Sequence, residues 1–421
     1  MPRRTKILAT LGPGSSDDTN LTNLIQAGVN VFRLNFSHGS AEEHTERAHT
    51  IRRIAKSLNT PVGILCDMQG PKIRIGSFTD DAKIDLAVGD IFSLDSNMDK
   101  EAGHQGAVYI EQELLEDMDA GDVLLLDDGR MTFDILEKTS TLARCKVVQG
   151  GVLSSKKGVN KFGGGLSADA LTPKDKADIK TAAALNTDYL AISFVRAAAD
   201  VELTRKLLKD AGSSAHIIAK VERAEAITDE FLPGIIEASD GVMVARGDLG
   251  VEIGDANLVA VQKQLIEAAM AANKVVITAT QMMESMISAP TPTRAEVFDV
   301  ANAVLDGTDA VMLSAESAAG DWPEEAVSMM DRIALSVEGD KGYSARLHFT
   351  ETDADPTTAD ALAAAAFDIT QTVSAKAIIC YTTSGSTARR IARERPGVPI
   401  VVLTPKMRTA RETGLLWGTH P

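Results

Sequence analysis

Eight short apolar runs, rich in β-branched residues and each followed by a polar turn and a helical stretch, recur along this chain. The pattern is typical of parallel β-strands connected by α-helices. Eight such units predict an α/β fold of the (β/α)8 or TIM-barrel type, in which functional residues lie at the C-terminal ends of the strands. The runs are 6–10, 29–35, 62–67, 189–194, 216–220, 241–245, 275–279 and 310–314.

Two other parts of the chain do not follow this alternation. Between the third and fourth runs, hairpin-like alternation with few helical stretches predicts an inserted β-barrel lid. After a polar linker that follows Val337, a helix at 358–372 and runs at 377–381 and 400–403 predict a small α/β domain. A chain of 421 residues exceeds the size of one growing core. We therefore expect a barrel formed by 1–71 and 168–342, a lid at 72–167 and a partial α/β domain at 343–421, since its sheet would be incomplete at Pro421.

The charge balance limits the classes of partner. The net charge is −16 and the pI is near 5.0, so the composition offers no basic surface for nucleic acid or anionic lipid. No run is long enough to cross a membrane. The three cysteines, Cys66, Cys145 and Cys380, show neither disulfide nor metal-ligand spacing, which fits a reducing cytoplasm. Any anionic ligand must therefore be bound by locally placed cations.

Charged residues are concentrated at the predicted strand ends. Glu222 and Asp248 close two runs, and two carboxylates completed by substrate oxygens and water suit Mg²⁺. Such a pair alone is more often part of a salt bridge. Lys220 favours the metal interpretation, because a fixed ammonium beside a divalent ion stabilises the charge of an enolate or a transferring phosphoryl group.

Three further residues extend this predicted site. The planar guanidinium of Arg33 suits phosphate oxygens, although a surface ion pair is the ordinary alternative. Gly247, at a predicted helix start, could present bare backbone N–H groups to an anion. Thr280 could hydrogen-bond a carboxylate or pass a proton.

Six motifs then identify a family. They are Asn-Phe-Ser-His-Gly at 35–39, Gly-Pro-Lys-Ile-Arg at 70–74, Lys-Val-Glu-Arg at 220–223, Met-Val-Ala-Arg-Gly-Asp-Leu-Gly-Val-Glu at 243–252, Ile-Thr-Ala-Thr-Gln-Met-Met-Glu-Ser-Met at 277–286 and Met-Leu-Ser-Ala-Glu at 312–316. In this order, over nearly the whole chain, they resemble those of pyruvate kinases. The motifs at 243–252 and 277–286 are the most specific.

The resemblance implies Mg²⁺-dependent phosphoryl transfer from phosphoenolpyruvate to ADP, the final step of glycolysis, with Mn²⁺ as a possible substitute. Arg33 would hold the phosphoryl group, Lys220 would stabilise the transition state and enolate, and Glu222 with Asp248 would ligate the metal. Gly247, Asp248 and Thr280 would contact the substrate. Ser314 and Glu316 would give support or relay a proton. The nucleotide phosphates would be met by Asn35, Phe36, Ser37, His38, Arg74 and Lys157.

Lys72 is a departure with chemical meaning. Many family members have glutamate at this position and bind K⁺ through residues that match Asn35, Ser37, Asp67 and the Met68 carbonyl. An ammonium with an ordinary pKa of about 10.4 stays charged near neutrality and could replace that ion. Met68 and Gln69 also match the other subgroup, so K⁺ is predicted to be dispensable. The alternative is that Lys72 only pairs with Asp67 at the surface.

Two other functions remain open on the residues alone. One is a Mg²⁺-dependent lyase or aldolase acting on pyruvate enolate, which has no need of a lid bearing Lys157. The other is a catalytically silent relative that binds phosphometabolites, which has no chemical reason to keep the charged set intact. The resemblance further implies a homo-oligomer, a tetramer in the family. The sequence at 382–387 resembles only the phosphate-binding loop of the family's effector site, so the regulation and subunit contacts of this chain stay open.

Overall fold

The structure, a computed structural model, describes residues 2–343, 347 and 355–421. The described strands are β1 (Lys6–Leu11), β2 (Val31–Asn35), β3 (Gly63–Asp67), β4 (Ile84–Leu86), β5 (Ile91–Asp95), β6 (Ala107–Tyr109), β7 (Val123–Leu126), β8 (Met131–Lys138), β9 (Leu142–Gln149), β10 (Gly151–Leu153), β11 (Val159–Lys161), β12 (Tyr189–Ile192), β13 (His216–Val221), β14 (Gly241–Ala245), β15 (Val275–Ala279), β16 (Ala310–Leu313), β17 (Ile378–Tyr381), β18 (Ile400–Leu403) and β19 (Thr419–His420).

The described α-helices are α1 (Asp18–Gln26), α2 (Ala41–Ser57), α3 (Gln112–Glu116), α4 (Pro173–Ala184), α5 (Ala198–Asp210), α6 (Leu232–Ala238), α7 (Arg246–Ile253), α8 (Asp255–Ala271), α9 (Arg294–Leu305), α10 (Ala315–Ala318), α11 (Pro323–Glu338), α12 (Thr358–Thr372), α13 (Ser386–Arg393) and α14 (Met407–Thr413). Three short 3-10 helices cover Thr79–Asp81, Glu225–Ile227 and Glu284–Ile287. Among the described residues, no helix is both long and apolar enough to cross a membrane.

The eight predicted runs form a closed parallel barrel. Its strands follow the order β1-β16-β15-β14-β13-β12-β3-β2, which confirms the predicted TIM-barrel fold. Strands such as β14 and β15 are buried along their whole length, because helices cover the barrel outside and side chains fill its inside. Burial on both faces explains why the sequence shows continuous apolar runs and not alternation.

Several helices of the barrel begin at capping boxes, which fix where the preceding loops end. Ser40 accepts a hydrogen bond from the Glu43 backbone N–H and Glu43 accepts one from Ser40 N, at the start of α2. Thr172 does the same with Asp175 at the start of α4, where Pro173 is the first helical residue. These reciprocal bonds satisfy backbone donors that the helix itself leaves free. The loops that follow the barrel strands therefore have defined ends.

The insertion between β3 and β12 is a β domain, as predicted. Its strands form a six-stranded mixed sheet in the order β11-β7-β8-β9-β5-β6 and a two-stranded sheet of β10 and β4. It has its own hydrophobic core, in which Phe92 and Phe133 pack with ring centroids 5.8 Å apart. This separate core makes the insertion a unit distinct from the barrel.

The last part of the chain forms a three-stranded parallel sheet, β17-β18-β19, with α12, α13 and α14. The predicted helix 358–372 and strand 400–403 have these bounds, whereas the short strand β19 was not predicted. Helix α11 continues to Glu338, and the predicted linker that follows Val337 lies partly outside the described residues.

This C-terminal unit packs against the end of the barrel where the strands begin. Lys6 Nζ donates a hydrogen bond to the Thr419 carbonyl, and Trp417 N donates one to Asp309 Oδ1 at 3.1 Å. Arg395 also forms a buried ion pair with Asp309 at 2.8 Å. Apolar side chains of the barrel interior and of the C-terminal sheet form one continuous core. The opposite end of the barrel is therefore the one that remains for a site.

Candidate active site

Lys220, on β13, is the centre of a buried cluster of charges at that opposite end. Its Nζ lies 2.8 Å from Glu222 Oε1 and 3.3 Å from Asp67 Oδ1. It also donates a hydrogen bond of 2.7 Å to Ser193 Oγ, which in turn donates to the Met68 carbonyl. Three neighbouring strand ends, those of β3, β12 and β13, thus hold one ammonium.

The pKa values of this cluster follow from burial and close opposite charges. Burial alone would lower the pKa of Lys220, but Asp67 and Glu222 outweigh it and raise the pKa to about 12. Burial would raise the pKa of Asp67, but Lys220 and Arg33 outweigh it and hold that pKa below its ordinary value. Lys220 is therefore a fixed ammonium at neutral pH, next to an ionised carboxylate.

Glu222 behaves differently from Asp67. Burial raises its pKa, Lys220 opposes the rise, and the carboxylate of Asp248 adds to it. Two carboxylates that repel each other in a low-dielectric site gain from a shared cation. The pair Glu222 and Asp248 therefore fits a divalent metal ion.

Arg33 lies in the same cluster and is not a surface ion pair. Its Nε donates to Asp67 Oδ2 at 2.6 Å, and its Nη1 donates to Thr10 Oγ1 at 3.1 Å. The parallel pairing of β1 with β2 places Thr10 opposite Arg33. Arg33 and Lys220 thus share the buried carboxylate of Asp67, which orients both cations.

Gly247 and Thr280 meet where α7 starts. The Gly247 N–H donates to Thr280 Oγ1 at 2.8 Å, and Thr280 Oγ1 donates to the Ala279 carbonyl at 2.6 Å. In this structure the Gly247 N–H is not bare, because the neighbouring hydroxyl takes that donor, and its contact with an anion stays a prediction. An anion would have to displace this hydroxyl to use it.

An unusual backbone conformation positions the Thr280 hydroxyl. Thr280 and Gln281 have φ values of 69° and 51°, a region that residues other than glycine rarely adopt. Buried Arg246 donates to the carbonyls of both residues and pairs with Asp299 at 2.7 Å. Arg246 therefore holds this turn, a role that the sequence prediction missed.

Lys72 contacts residues other than those predicted for it. Its Nζ lies 2.9 Å from Asp128 Oδ1 and 3.2 Å from Asp248 Oδ1. Burial would lower the pKa of Lys72, but Asp248 and Asp128 raise it. The predicted grouping of Lys72 with Asn35, Ser37 and Asp67 is thus not formed here. The physical reason is that Arg33 and Lys220 already neutralise Asp67, whereas Asp248 lacks another described cation as close.

The other predicted lid residues lie around the turn after β7. Lys157 Nζ pairs with Asp127 Oδ1 at 2.6 Å, and Arg74 Nη1 donates to the Lys156 carbonyl at 2.9 Å. Asp127 and Asp128, which pair with Lys157 and Lys72, were not predicted as site residues. The Asp-Asp-Gly signal of this turn was visible in the sequence, but it indicated only a hairpin.

The predicted nucleotide contacts in the loop after β2 are of two kinds, polar residues in a turn and one buried aromatic residue. Asn35 Oδ1 accepts a hydrogen bond from Ser37 N at 3.1 Å, which forms a polar turn, and the His38 carbonyl accepts one from His44 Nε2 at 2.9 Å. Phe36 instead is buried and stacks on His44, with ring centroids 4.1 Å apart. The Phe36 side chain therefore packs into the barrel core, and the nucleotide contact of this residue stays a prediction.

Glu316 and Ser314 fit the predicted supporting role better than proton relay. The buried Glu316 carboxylate accepts hydrogen bonds from Met283 N at 3.2 Å and Ser314 N at 2.7 Å. It therefore ties the loop after β15 to the end of β16. Ser193, which holds Lys220, was seen in the sequence only as one polar strand end.

The candidate metal ligands are two protein carboxylates. No group of three or more His, Cys, Asp or Glu side chains with metal-binding geometry occurs within the described part of the chain. Glu222 and Asp248 would therefore supply a partial set, to be completed by oxygens of the substrate and water, as Mg²⁺ accepts. A metal ion bound there would share Asp248 with Lys72.

The fold and this cluster define a class: a barrel enzyme whose site combines a buried ammonium, an arginine and two carboxylates, a set that suits a phosphorylated anion and a divalent metal ion. The family model "Pyruvate kinase, barrel domain" matches residues 2–327, and "Pyruvate kinase, alpha/beta domain" matches residues 360–421. Both parts of the chain thus match one family.

Individual proteins similar to this chain are named as members of the same family. Pyruvate kinase II of Salmonella typhimurium is 51% identical over 421 residues, which cover 100% of this chain and 88% of that protein. A pyruvate kinase of Haemophilus influenzae is 49% identical with the same coverage of both chains. A crystal structure of a pyruvate kinase from Cryptosporidium parvum has a TM-score of 0.95 at 36% identity and covers 99% of this chain and 86% of that chain.

The chain belongs to the pyruvate kinase family. It is accordingly a phosphotransferase of glycolysis, and its family uses a divalent metal cofactor.

Proposed function

We propose that this chain transfers a phosphoryl group from phosphoenolpyruvate to ADP, giving pyruvate and ATP. The observation that carries the proposal is the buried ammonium of Lys220, held by Asp67, Glu222 and Ser193 beside Arg33. Phosphoryl transfer depends on positioned charges more than on covalent chemistry by the protein. A preoriented pair of cations at the strand ends meets that need.

Arg33 would bind the phosphoryl oxygens, because a guanidinium forms planar, charge-assisted hydrogen bonds with them. Asp67 fixes Arg33 and so reduces the entropy lost when the substrate binds. Held by Glu222 and Asp248, Mg²⁺, or Mn²⁺ in its place, would supply Lewis-acid stabilisation of charge on the transferring group.

Lys220 would stabilise the negative charge that develops on the enolate oxygen as the phosphoryl group leaves. Its pKa of about 12 keeps it charged throughout the neutral range, so it acts as an electrostatic group and not as a proton donor. Thr280 would then contact the substrate together with Gly247 and Asp248, and its hydroxyl is the candidate proton carrier to the enolate carbon. Proton transfer through it would require the bond to the Ala279 carbonyl to break.

The lid, residues 72–167, would close over the nucleotide. Arg74 and Lys157 on the lid, with Asn35, Ser37 and His38 on the barrel loop, would then meet the phosphates. Closure excludes water, which would otherwise compete for the phosphoryl group. The ion pair of Lys157 with Asp127 is only partly exposed and would have to open for this contact.

We further propose that K⁺ is not required. Lys72 supports this, because it already places a monovalent cation between Asp128 and Asp248. The test measures pyruvate formation by coupled NADH oxidation, in Tris buffer with Mg²⁺, with and without K⁺. Equal rates would support both proposals, and activity only with K⁺ would keep the kinase and overturn the role of Lys72. No pyruvate from folded protein would overturn the kinase proposal.

We also propose a homo-oligomer located in the cytoplasm. The exposed face of α12 supports association, since Leu362, Ile369 and Val373 are 66%, 57% and 64% exposed. Light scattering after size exclusion measures the mass. A fully active monomer at assay concentration would contradict the oligomer.

A further inference from the structure

Glu252 is a buried carboxylate that the proposed reaction does not use. It lies on α7, one helical turn after Asp248, and is only 2% exposed. On an α-helix, residues four apart lie on the same face. A movement of Glu252 is therefore transmitted to the helix that carries one of the two candidate metal ligands.

The Glu252 carboxylate joins this helix to two other parts of the molecule. Its Oε2 accepts a hydrogen bond of 2.8 Å from Ala224 N, two residues after Glu222. Its Oε1 accepts a bond of 3.3 Å from Asn160 Nδ2, on lid strand β11. The Glu252 carbonyl also accepts a bond of 2.9 Å from Gly163 N, where the lid chain returns to the barrel.

The surroundings of Glu252 make these contacts costly to lose. Buried Arg223 lies nearby and attracts the carboxylate, whereas Glu225 repels it. Burial raises the pKa of Glu252 to about 7, despite the bond from Ala224 N and the charge of Arg223. A buried polar group is costly to leave without hydrogen-bond partners, so the three segments are held together.

Resting on the proposed function, we propose that Glu252 is a positioning residue that couples the lid to both candidate metal ligands, Asp248 and Glu222. The hydrogen bond to Asn160 fixes the lid, the bond from Ala224 N fixes the segment after Glu222, and the helix fixes Asp248. Residues that orient metal ligands typically change metal affinity or activity by about 10- to 100-fold when they are replaced. Weak lid attachment and weak metal binding should therefore appear together.

The test uses Glu252→Gln and Asn160→Ala in the full chain. Glu252→Gln keeps the size of the side chain, but its amide cannot accept hydrogen bonds at both ends. Asn160→Ala removes only the hydrogen bond from the lid to Glu252. Glu225→Gln is the matched control, because Glu225 accepts a hydrogen bond from Gly165 N of the lid segment but does not lie on α7. Three quantities are measured: Mn²⁺ binding by electron paramagnetic resonance without substrates, the half-saturating Mg²⁺ concentration in turnover, and hydrogen exchange of residues 156–166.

We expect Glu252→Gln and Asn160→Ala to weaken Mn²⁺ binding and raise the half-saturating Mg²⁺ about tenfold, with faster exchange at 156–166. Glu225→Gln should speed exchange near Gly165 and leave metal binding within twofold of wild type. Faster exchange with unchanged Mn²⁺ binding in Asn160→Ala would overturn the coupling, as would unchanged values in folded Glu252→Gln. Exchange and Mn²⁺ binding need no turnover, so absence of wild-type pyruvate formation would count against the kinase proposal alone.

Discussion

Lys220→Met tests the centre of the proposed mechanism, because methionine keeps a similar length and removes the charge. The folded pKa of Lys220 is about 12 against an ordinary 10.5, so folding favours its charged form by about 2 kcal/mol. The pKa is raised on folding, so this stabilisation is complete below about pH 10.5 and disappears as the pH rises through about 12. At neutral pH the variant loses all of it.

The substitution also leaves Asp67 and Glu222 with one cation fewer. Removal of one partner from a buried ion pair typically costs about 3–5 kcal/mol. Glu222 already has a raised pKa and can take up a proton, so we expect a loss near the low end, about 3 kcal/mol. Urea unfolding of the variant, compared with Lys263→Met at a more exposed ion pair with Asp306, measures this difference.

The same variant should nearly abolish turnover. Loss of a preoriented charge at the developing enolate is expected to reduce kcat by about 10³-fold or more, equivalent to about 4 kcal/mol of the barrier. Mn²⁺ binding should be largely kept, because Glu222 and Asp248 remain. Turnover above a tenth of the wild-type rate, in folded protein, would refute the role assigned to Lys220.

Three other perturbations have defined outcomes. Lys72→Glu adds a carboxylate beside Asp248, so activity without K⁺ should fall at least about tenfold and recover partly with KCl; no response to K⁺ would contradict this. Ser193→Ala removes one hydrogen bond to Lys220, worth about 1–1.5 kcal/mol, so kcat should fall about tenfold in the coupled assay; an unchanged kcat would contradict it. The pKa of Glu252 rises on folding from an ordinary 4.5 to about 7, so the contribution of Glu252 to stability falls as pH rises from about 4.5 to about 7, and Glu252→Gln should flatten this part of the pH dependence; parallel unfolding curves would contradict it.

The barrel was predictable because burial leaves a local signal. Strands 241–245 and 275–279 have the predicted bounds, since every residue in them is buried and the surrounding turns are polar. The meeting of Lys220 and Glu222 was predictable because both stand at the end of one predicted run, and functional residues of a barrel lie at the C-terminal strand ends. Such inferences need only the neighbouring sequence.

The missed features depend on which distant side chains meet. Arg246 holds the turn at Thr280 across 34 positions of sequence, and no local pattern records that contact. Lys72 pairs with Asp128 and Asp248 because Asp67 is already neutralised, a competition that only the assembled site decides. Phe36 lies in the turn after β2, where its side chain is buried against His44 although its motif neighbours are polar.

The contacts between the C-terminal unit and the end of the barrel where the strands begin have a consequence for synthesis of the protein. The Arg4 carbonyl accepts a hydrogen bond from Gly418 N, and Lys6 Nζ donates one to the carbonyl of Thr419, which is made 413 residues later. The lid has its own core and can fold as soon as it leaves the ribosome, because domains fold as units during translation. The barrel that surrounds it in sequence acquires these bonds only after residues 418 and 419 have been made. A nascent chain arrested near residue 340 should therefore contain a folded lid and a barrel that still lacks its contacts with the C-terminal unit.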